Sequence, residues 1–505
     1  MTDAPPPVAA ARAGAAPWVE RFSAERVWVV WLLGAVALAA FVALGYILWL
    51  GLEVEHWRHD SFRYLTSEGV ERKLREEGRW IAYLAFPALK SVSPHALFVL
   101  DLALIIAAAF VVFRRFSADD VSAAALALSV GLFPGVAAQL LWPITVFPSC
   151  VILLFTVWLV DRYGVWALPP AMVLVLGAAP LAAFVLPLAA LPARLARDEW
   201  DAAGFVGVGV VWGLSLGLGV LVASLMNGVL LGEIGVEPAD WRRSRPLETW
   251  ADLQGNVDRA RRVFQRLITL NYPDISRIAV ASLALVGLGL GVVVARGKRV
   301  WLTLGVRMGY LGVLFLGPFG VAVLGYALQT RSLLSWAFAL AAGALLVLPG
   351  SLHRVGAAVT LIVVGLPGYL SSREDLSWFV SITQANQAAI DTAVTTGVRT
   401  GEPIRGVLAD VSGFSNYYAE IEARSHPRPA TASLERMNAS PRVLAGFMEY
   451  GLDRPIECAA PAAGVSEHGQ CAQLRALPAN QCADLDSLIC VFGVREGLLW
   501  VRLAP

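Results

Sequence analysis

The sequence predicts an all-α polytopic membrane protein with a small mixed α/β domain at its C-terminal end. Three observations lead there. Of 505 residues, 57% are hydrophobic and 16% charged, whereas soluble domains carry about 25% charged residues. Mean hydropathy is +0.62. Uninterrupted apolar stretches at 27–50, 278–295 and 355–370 have the length that a helix rising about 1.5 Å per residue needs to cross a hydrocarbon core of about 30 Å. A formal net charge of +1 supplies no basic field, so nucleic acid is not expected as a partner.

The segment 1–26 is Pro/Ala-rich and precedes the first apolar run. That run is too long for a signal-peptide core and no small-residue cleavage pattern follows it, so it is read as a retained first span. Further spans are predicted near 96–113, 119–141, 147–161, 203–231, 278–296, 301–327, 333–350 and 354–371. The stretch 163–193 carries Pro169, Pro170, Pro180, Pro187 and Pro192 and divides at Gly177-Ala178-Ala179-Pro180 into a hairpin of two short helices. The count is about 11 transmembrane helices within 27–371, which puts the two chain ends on opposite sides.

With residues 1–26 inside, the inward turns hold Arg114, Arg115, Arg162, Arg194, Arg197, Arg296, Lys298, Arg299 and Arg354, as the positive-inside rule requires. Two long Arg-rich connections, 52–95 and 233–277, then lie outside, so a tally over all loops does not favour this orientation and cysteine usage supplies the second argument. The hydrophilic tail, 372–505, holds Cys458, Cys471, Cys482 and Cys490. An even cluster in a small domain reads as two disulfides in an oxidising, periplasm-like space, with a zinc site as the runner-up that the lack of any C-x-x-C weakens. Within the tail, 376–416 reads as helical with a break around Gly397–Pro403. Cys490-Val491-Phe492-Gly493 followed by Gly497-Leu498-Leu499-Trp500-Val501 reads as a terminal β-hairpin.

Chemistry-bearing residues concentrate in the first outside loop: Glu53, Glu55, His56, Trp57, Arg58, His59, Asp60, Ser61, Phe62 and Arg63, then Glu68 to Gly78-Arg79-Trp80. A carboxylate held near apolar surface resists ionisation and can accept a proton, and arginines beside it can hold a phosphate through two parallel hydrogen bonds. An interfacial anchor whose charges pair with one another and with lipid headgroups is the alternative. A zinc reading of His56, His59 and Asp60 lacks a third-ligand motif. The second loop offers Arg242 and Arg243, then an amphipathic helix over 256–270 in which Arg259, Arg261, Arg262 and Arg266 flank an apolar face suited to the membrane interface. Arg307, inside an apolar run, either snorkels inward or faces a polar cavity.

The order of first span, His59-Asp60-Ser61-Phe62-Arg63 and Gly78-Arg79-Trp80 resembles the bacterial O-antigen glucosyltransferases of the serotype-converting type II kind, which show D-D-x-x-R and later G-R-P. The resemblance continues through the proline-containing outward turn Trp142-Pro143-Ile144-Thr145-Val146-Phe147-Pro148, the short hairpin and Ala385-Asn386-Gln387. His59 stands where that family has its first acid. The resemblance implies a GT-C-like fold and an inverting glycosyltransferase in the bacterial inner membrane, with a cytoplasmic N-terminus and a periplasmic tail. It would move glucose or another hexose from a polyprenyl-phosphate carrier to a lipid-linked or cell-surface glycan. On that reading Asp60 is the base. Arg63 and Arg79, with Arg58, His59, Glu55, Arg242 and Arg243, form the substrate-binding set. Partners are membrane lipid, the polyprenyl-phosphate sugar donor and the glycan acceptor. No cofactor is implied, and a divalent metal stays open. The rival class is a transporter or channel for an envelope lipid or glycan, for which the broken helices near Gly177–Pro180 and Arg307 speak. No duplicated half accompanies them, and Asp101 is the one acid found mid-span.

Overall fold

The computed structural model describes residues 26–54, 74, 77–178, 180–191, 202–232, 234–236, 247–269, 312, 317, 320, 323, 334–348, 352–399, 402–425, 447, 452–458, 469–482 and 488–503. Among these, five helical stretches are apolar and long enough to cross a bilayer: Val27–Leu52, Pro94–Arg114, Pro143–Ala178, Val206–Leu230 and His353–Val398. The chain is a multi-pass membrane protein by this measure. The predicted spans 278–296 and 301–327 lie outside the described residues, apart from isolated positions in the second. The expected count of about eleven is therefore carried by five full-length stretches and several shorter pieces among the described residues.

Each helix follows from local sequence. Helix α1 (Arg26–Leu52) is apolar all round, and Trp31, Phe41 and Val42 face outward, as suits a helix whose solvent is lipid. After the short helix α2 (Trp80–Leu89), α3 (Pro94–Arg114) starts on a proline, which forfeits only an N–H that has no helical partner there. The predicted span 119–141 is two pieces, α4 (Asp120–Gly131) and α5 (Pro134–Leu140). Pro134 keeps Phe133 extended, at ψ 133°, and so breaks the helix. Helix α6 (Pro143–Tyr163) also opens on a proline and ends at Gly164, with φ 70°. The next helix, α7 (Leu168–Ala178), folds back along it: the Ser149 hydroxyl, near the start of α6, donates to the Ala178 carbonyl at 2.9 Å. The apolar stretch Pro143–Ala178 is thus a helical hairpin rather than one rod.

The chain then reverses again. A tight turn at Pro180–Phe184 leads into α8 (Leu186–Ala190), and Arg115 donates to the Ala189 carbonyl back at the opposite end of the bundle. This is the short-helix hairpin that the prolines predict. Helix α9 (Ala202–Leu231) packs along α7. Gly219 admits the close approach, since a Cβ there would lie 2.7 Å from Leu176. Helix α10 (Trp250–Thr269) is the predicted amphipathic helix, and Asn256 donates to the Val323 carbonyl from its inner face. Helix α11 (Leu334–Val347) completes the short pieces.

One end of the bundle is held by charge. Arg115 pairs with Asp161 at 3.2 Å, and Arg354 pairs with Asp119 at 2.9 Å. His353 takes the Ala118 N–H on Nδ1 and approaches the Leu348 carbonyl with Nε2. A carbonyl can only accept, so Nε2 carries the proton and the imidazole is neutral. Arg114, Arg115 and Arg354, three of the cations that the orientation argument uses, therefore gather at this end.

The last helix, α12 (His353–Val398), runs 46 residues, about 69 Å at about 1.5 Å per residue and so more than twice the depth of a bilayer core. The predicted last span and the predicted helix after it are one continuous rod, with a π-helical turn at Leu361–Gly365. Its far part carries the tail. Strands β1 (Gly406–Asp410), β2 (Asp453–Cys458), β3 (Ile489–Arg495) and β4 (Leu498–Leu503) form a sheet in the order β2-β1-β4-β3. Strand β1 is parallel to both neighbours and β3 is antiparallel to β4. The predicted terminal hairpin is β3–β4, turned by Glu496 and Gly497 at φ 53° and 78°, the pair of positive angles that a tight hairpin turn needs. Strand β1, by contrast, lies where the sequence reading expected helix to resume.

Helices α13 (Phe414–Ser425) and α14 (Gly469–Ala476) accompany the sheet. The Tyr417 hydroxyl donates to Asn386 Oδ1 of α12 at 2.6 Å. Burial pushes that phenol far above its ordinary value, so it stays a donor. Gly397 meets Leu499 so closely that no side chain fits between them. The four tail cysteines pair as Cys458–Cys471 and Cys482–Cys490, with Cα atoms 5.4 and 5.3 Å apart, and Cys150 is free and buried.

Two expectations arise from these contacts. Asp119 caps α4 by accepting from the Ser122 N–H at 2.9 Å. Burial raises its carboxyl, but the Ser122 amide and Arg354 outweigh burial and hold it below the ordinary carboxylate value. A lowered acid stabilises the fold above its unfolded value, and that contribution is lost as pH falls through the folded value. Asp119→Ala is expected to cost about 1–2 kcal/mol in denaturation at neutral pH. Asp119→Asn, which still caps, is expected to cost about 0–1 kcal/mol, and its gap from the parent should close in acid. The second expectation is a thiol count: unfolded without reductant, the chain exposes one reactive thiol, Cys150, and five after reduction.

Candidate functional site

Glu55, Arg58, His59, Asp60, Arg63, Arg242, Arg243 and Arg307 lie outside the described residues, and the structure bears on the predicted site through Arg79 and its surroundings. The first long connection is pinched at its base. The His95 ring donates from Nε2 to the Val54 carbonyl at 2.9 Å, which joins the end of α1 to the start of α3.

Near the return of that loop, Gly78-Arg79-Trp80 forms a joint in which each residue has a separate task. Gly78 sits at φ 70°, and a Cβ on it would come 2.9 Å from Val236 and 3.4 Å from Ala223. The position therefore requires glycine both for its backbone angle and for its space. The Arg79 N–H donates to the Leu74 carbonyl at 2.8 Å, and the Arg79 carbonyl accepts from Tyr83, which starts α2. The Trp80 indole lies against Gly177, where a Cβ would be 2.5 Å from Nε1. The glycine at the head of the short-helix hairpin thus makes room for the tryptophan of a motif about a hundred residues earlier.

The Arg79 side chain is 19% exposed, and its guanidinium meets Glu77, whose side chain is buried, at 3.6 Å. Sequence reading gives Arg79 a role and leaves Glu77 as one unnamed member of the stretch from Glu68 to Trp80. The signal available was the acid two places before the arginine in Glu76-Glu77-Gly78-Arg79. Helix α2 then runs apolar from Trp80 to Leu89, packed on α6, α7 and α9 with Leu84 facing outward, as an interfacial helix does.

Arg79 and the tail lie at the same end of the bundle. Helices α1 and α12 run in the same direction: Val54 and His95 join the end of α1 to the start of α3, Ala118 and His353 join the far end of α3 to the start of α12, and Tyr46 meets Tyr369 between them with ring centroids 6.4 Å apart. The joint follows the loop that leaves α1, and the tail follows α12.

Other residues from the sequence reading fall into place as supports. Asn386 serves the Tyr417 contact, and Gln387 donates to Asp391 at 2.7 Å. Asp101 is fully buried on α3 and faces the Cys150 thiol of α6. Among the described residues no cluster of three or more His, Cys, Asp or Glu has the arrangement to hold a metal ion.

Replacing Gly78 tests the joint. Gly78→Ala is expected to lower stability by about 1–2 kcal/mol from the left-handed backbone angle alone, with a further loss from the clash against Val236. Adding Val236→Ala should recover the crowding part and leave the backbone part, read as two steps in a thermal melt. No family model, no curated protein and no solved structure matches the chain.

Proposed function

We propose that the protein is a GT-C-like inverting glycosyltransferase of about eleven spans that moves a hexose from a polyprenyl-phosphate carrier to a glycan at the periplasmic face of a bacterial inner membrane. The observation that carries this reading is the Gly78-Arg79-Trp80 joint. It holds Arg79, the one described residue of the proposed substrate-binding set, mostly buried where an interfacial helix begins, at the tail-bearing end of the bundle. A lipid phosphate lies with its chain among apolar helices and its head at such a level. The gathering of Arg114, Arg115 and Arg354 at the other end supports a cytoplasmic side there.

In the proposed reaction Asp60 takes the proton of an acceptor hydroxyl as the oxygen attacks the anomeric carbon. The bond from that carbon to the phosphate oxygen breaks, and polyprenyl phosphate leaves with its charge met by Arg63 and Arg79. One base suffices, unlike the carboxylate pair of a typical glycosidase. Arg58, His59, Glu55, Arg242 and Arg243 complete the polar surround of donor and acceptor. Glu77 orients Arg79, and a lysine there could not reproduce a planar two-point contact.

The test is Asp60→Asn. The variant keeps the side chain's shape without its basicity, so it should insert and melt like the parent while transfer from polyprenyl-phosphate hexose falls about 10²–10⁴-fold. Transfer within a few-fold of the parent would remove Asp60 from the chemistry. A parent that transfers no hexose from any such donor would remove the reading itself.

A further inference from the structure

Helix α10 is fastened to the protein by one side and leaves the opposite side uncovered. Asn256 and Ala260 are buried, and Asn256 donates to the Val323 carbonyl. Trp250 and Val257 are 71% and 37% exposed, and Arg261 and Arg262 are exposed as well. At about 100° per residue, Val257, Trp250 and Arg261 fall within about 40° of one another, with Asn256 and Ala260 turned roughly 80–120° to one side and Arg262 about 100° to the other. The helix surface therefore passes in order from protein contact, through an exposed apolar strip, to Arg261 and then Arg262.

The charge on this helix is unbalanced. Its sequence sets Arg259, Arg261, Arg262 and Arg266 against two acids, Asp252 and Asp258. Asp252 is taken up at the N-terminus, where it accepts from the Thr249 N–H at 2.9 Å and from the Thr249 hydroxyl at 2.6 Å. Among the described residues neither Arg261 nor Arg262 makes an ion pair or a hydrogen bond, although Asp258 stands one turn before them.

Two unpaired cations call for an anion, and the strip beside them narrows its class. A soluble anion would leave the Trp250 indole and Val257 in water. A membrane surface meets both needs. Indole rings favour the level where hydrocarbon gives way to headgroups, and an arginine whose stem lies on apolar surface carries its guanidinium up to the phosphates, which it holds through two parallel hydrogen bonds.

We propose that the outer side of α10 is a docking surface for anionic phospholipid, with Trp250 and Val257 at the edge of the hydrocarbon and Arg261 and Arg262 on headgroup phosphates. The surface is separate from the proposed sugar transfer and does not depend on it. Helix α10 belongs to the connection that leaves α9 beside the Arg79 joint, where Ala223 and Val236 close on Gly78. Lipid held on α10 ties that connection to the bilayer surface.

The experiment places a reporter on the face itself. Full-length protein with Val257→Cys carries an environment-sensitive fluorophore and is reconstituted into phosphatidylcholine vesicles with a rising fraction of phosphatidylglycerol. The parent, whose one free thiol is the buried Cys150, serves as the unlabelled control. As phosphatidylglycerol increases, the emission should move to the blue, and brominated lipid chains should quench it more than aqueous acrylamide does. A label at Ala251→Cys, on the side of Arg262, should show the reverse order of quenching. Arg261→Gln should raise the fraction of phosphatidylglycerol needed for half the shift about fivefold, and Arg261→Gln/Arg262→Gln should raise it further. If the label at Val257 alters the melt, Trp250→Cys carries the same readout. Quenching at Val257 by acrylamide first puts the face in water, quenching by neither agent puts it under protein, and both overturn the proposal. So does a shift that is complete in phosphatidylcholine alone, or one that the double variant leaves unchanged. A shift that answers to polyprenyl phosphate and not to phosphatidylglycerol assigns the face to the donor lipid and overturns the phospholipid.

Discussion

Hydrocarbon offers no partner to a backbone N–H or C=O, and the rest of the structure depends on that constraint. Each segment that crosses must close its own hydrogen bonds, so the crossing elements are helices. Charges move to their ends. Arg115 with Asp161 and Arg354 with Asp119 lie where helices start or stop, and each pair joins elements distant in sequence. Where the backbone does break within the bundle, at Pro134 and around Pro180, it is enclosed by protein. Leu132, Phe133, Ala182, Ala183 and Val185 are all buried, and the Trp212 indole donates to the Ala183 carbonyl freed by the turn. Irregular backbone at this depth survives only under such cover.

The same constraint explains what could be read from the sequence. The five stretches long enough to cross were legible because an apolar run of that length has few other uses. Helix α10 was marked by its period of about 3.6 residues, whereas Trp142–Pro148, which reads as an outward turn, forms the first turns of α6, because Pro143 at the first helical position costs no hydrogen bond. Strand β1 was not legible. Its five residues, Gly406–Asp410, are all buried, and a short apolar run enclosed on both faces has no alternation to separate it from helix. The continuity of α12 was hidden for a related reason. Composition turns polar after Leu370, which suggests a boundary, yet a helix leaving the bilayer can change its surface without ending.

Much of the candidate site was illegible for a different reason. The motif Gly78-Arg79-Trp80 was visible, but the atoms that give it meaning belong to Val236, Ala223 and Gly177. Only tertiary packing brings these together. The sequence offers a reason for one glycine, the turn, whereas the structure adds a second, the close approach of α9. Arg79 was singled out for its charge alone. Its pairing with Glu77 and partial burial make it a positioned group rather than a free surface cation. Cysteine pairing followed the same pattern. An even count implied two bridges, and the choice among three connectivities needed the sheet, which sets Cys458 at the end of β2 beside α14.

Helix α12 ties these parts together, and its register is the reason it can. Residues on a helix turn by about 100° each, so a face is kept only while the count is kept. The π-helical turn at Leu361–Gly365 admits one extra residue per turn, and so rotates everything beyond it relative to the part packed on α4. Gly365, the last residue of that turn, lies close to Leu132, with a built Cβ at 3.4 Å. Beyond it, Ser371, Asp375 and Trp378 share one face of the rod, Asn386 meets Tyr417, and Gly397 meets Leu499. No flexible linker separates the buried polar face from the tail contacts. The number of residues between Gly365 and Gly397 therefore fixes the azimuth of the sheet domain above the bundle. Adding or removing one residue there would turn both tail contacts by about a quarter of a circle, with no short loop available to absorb the change.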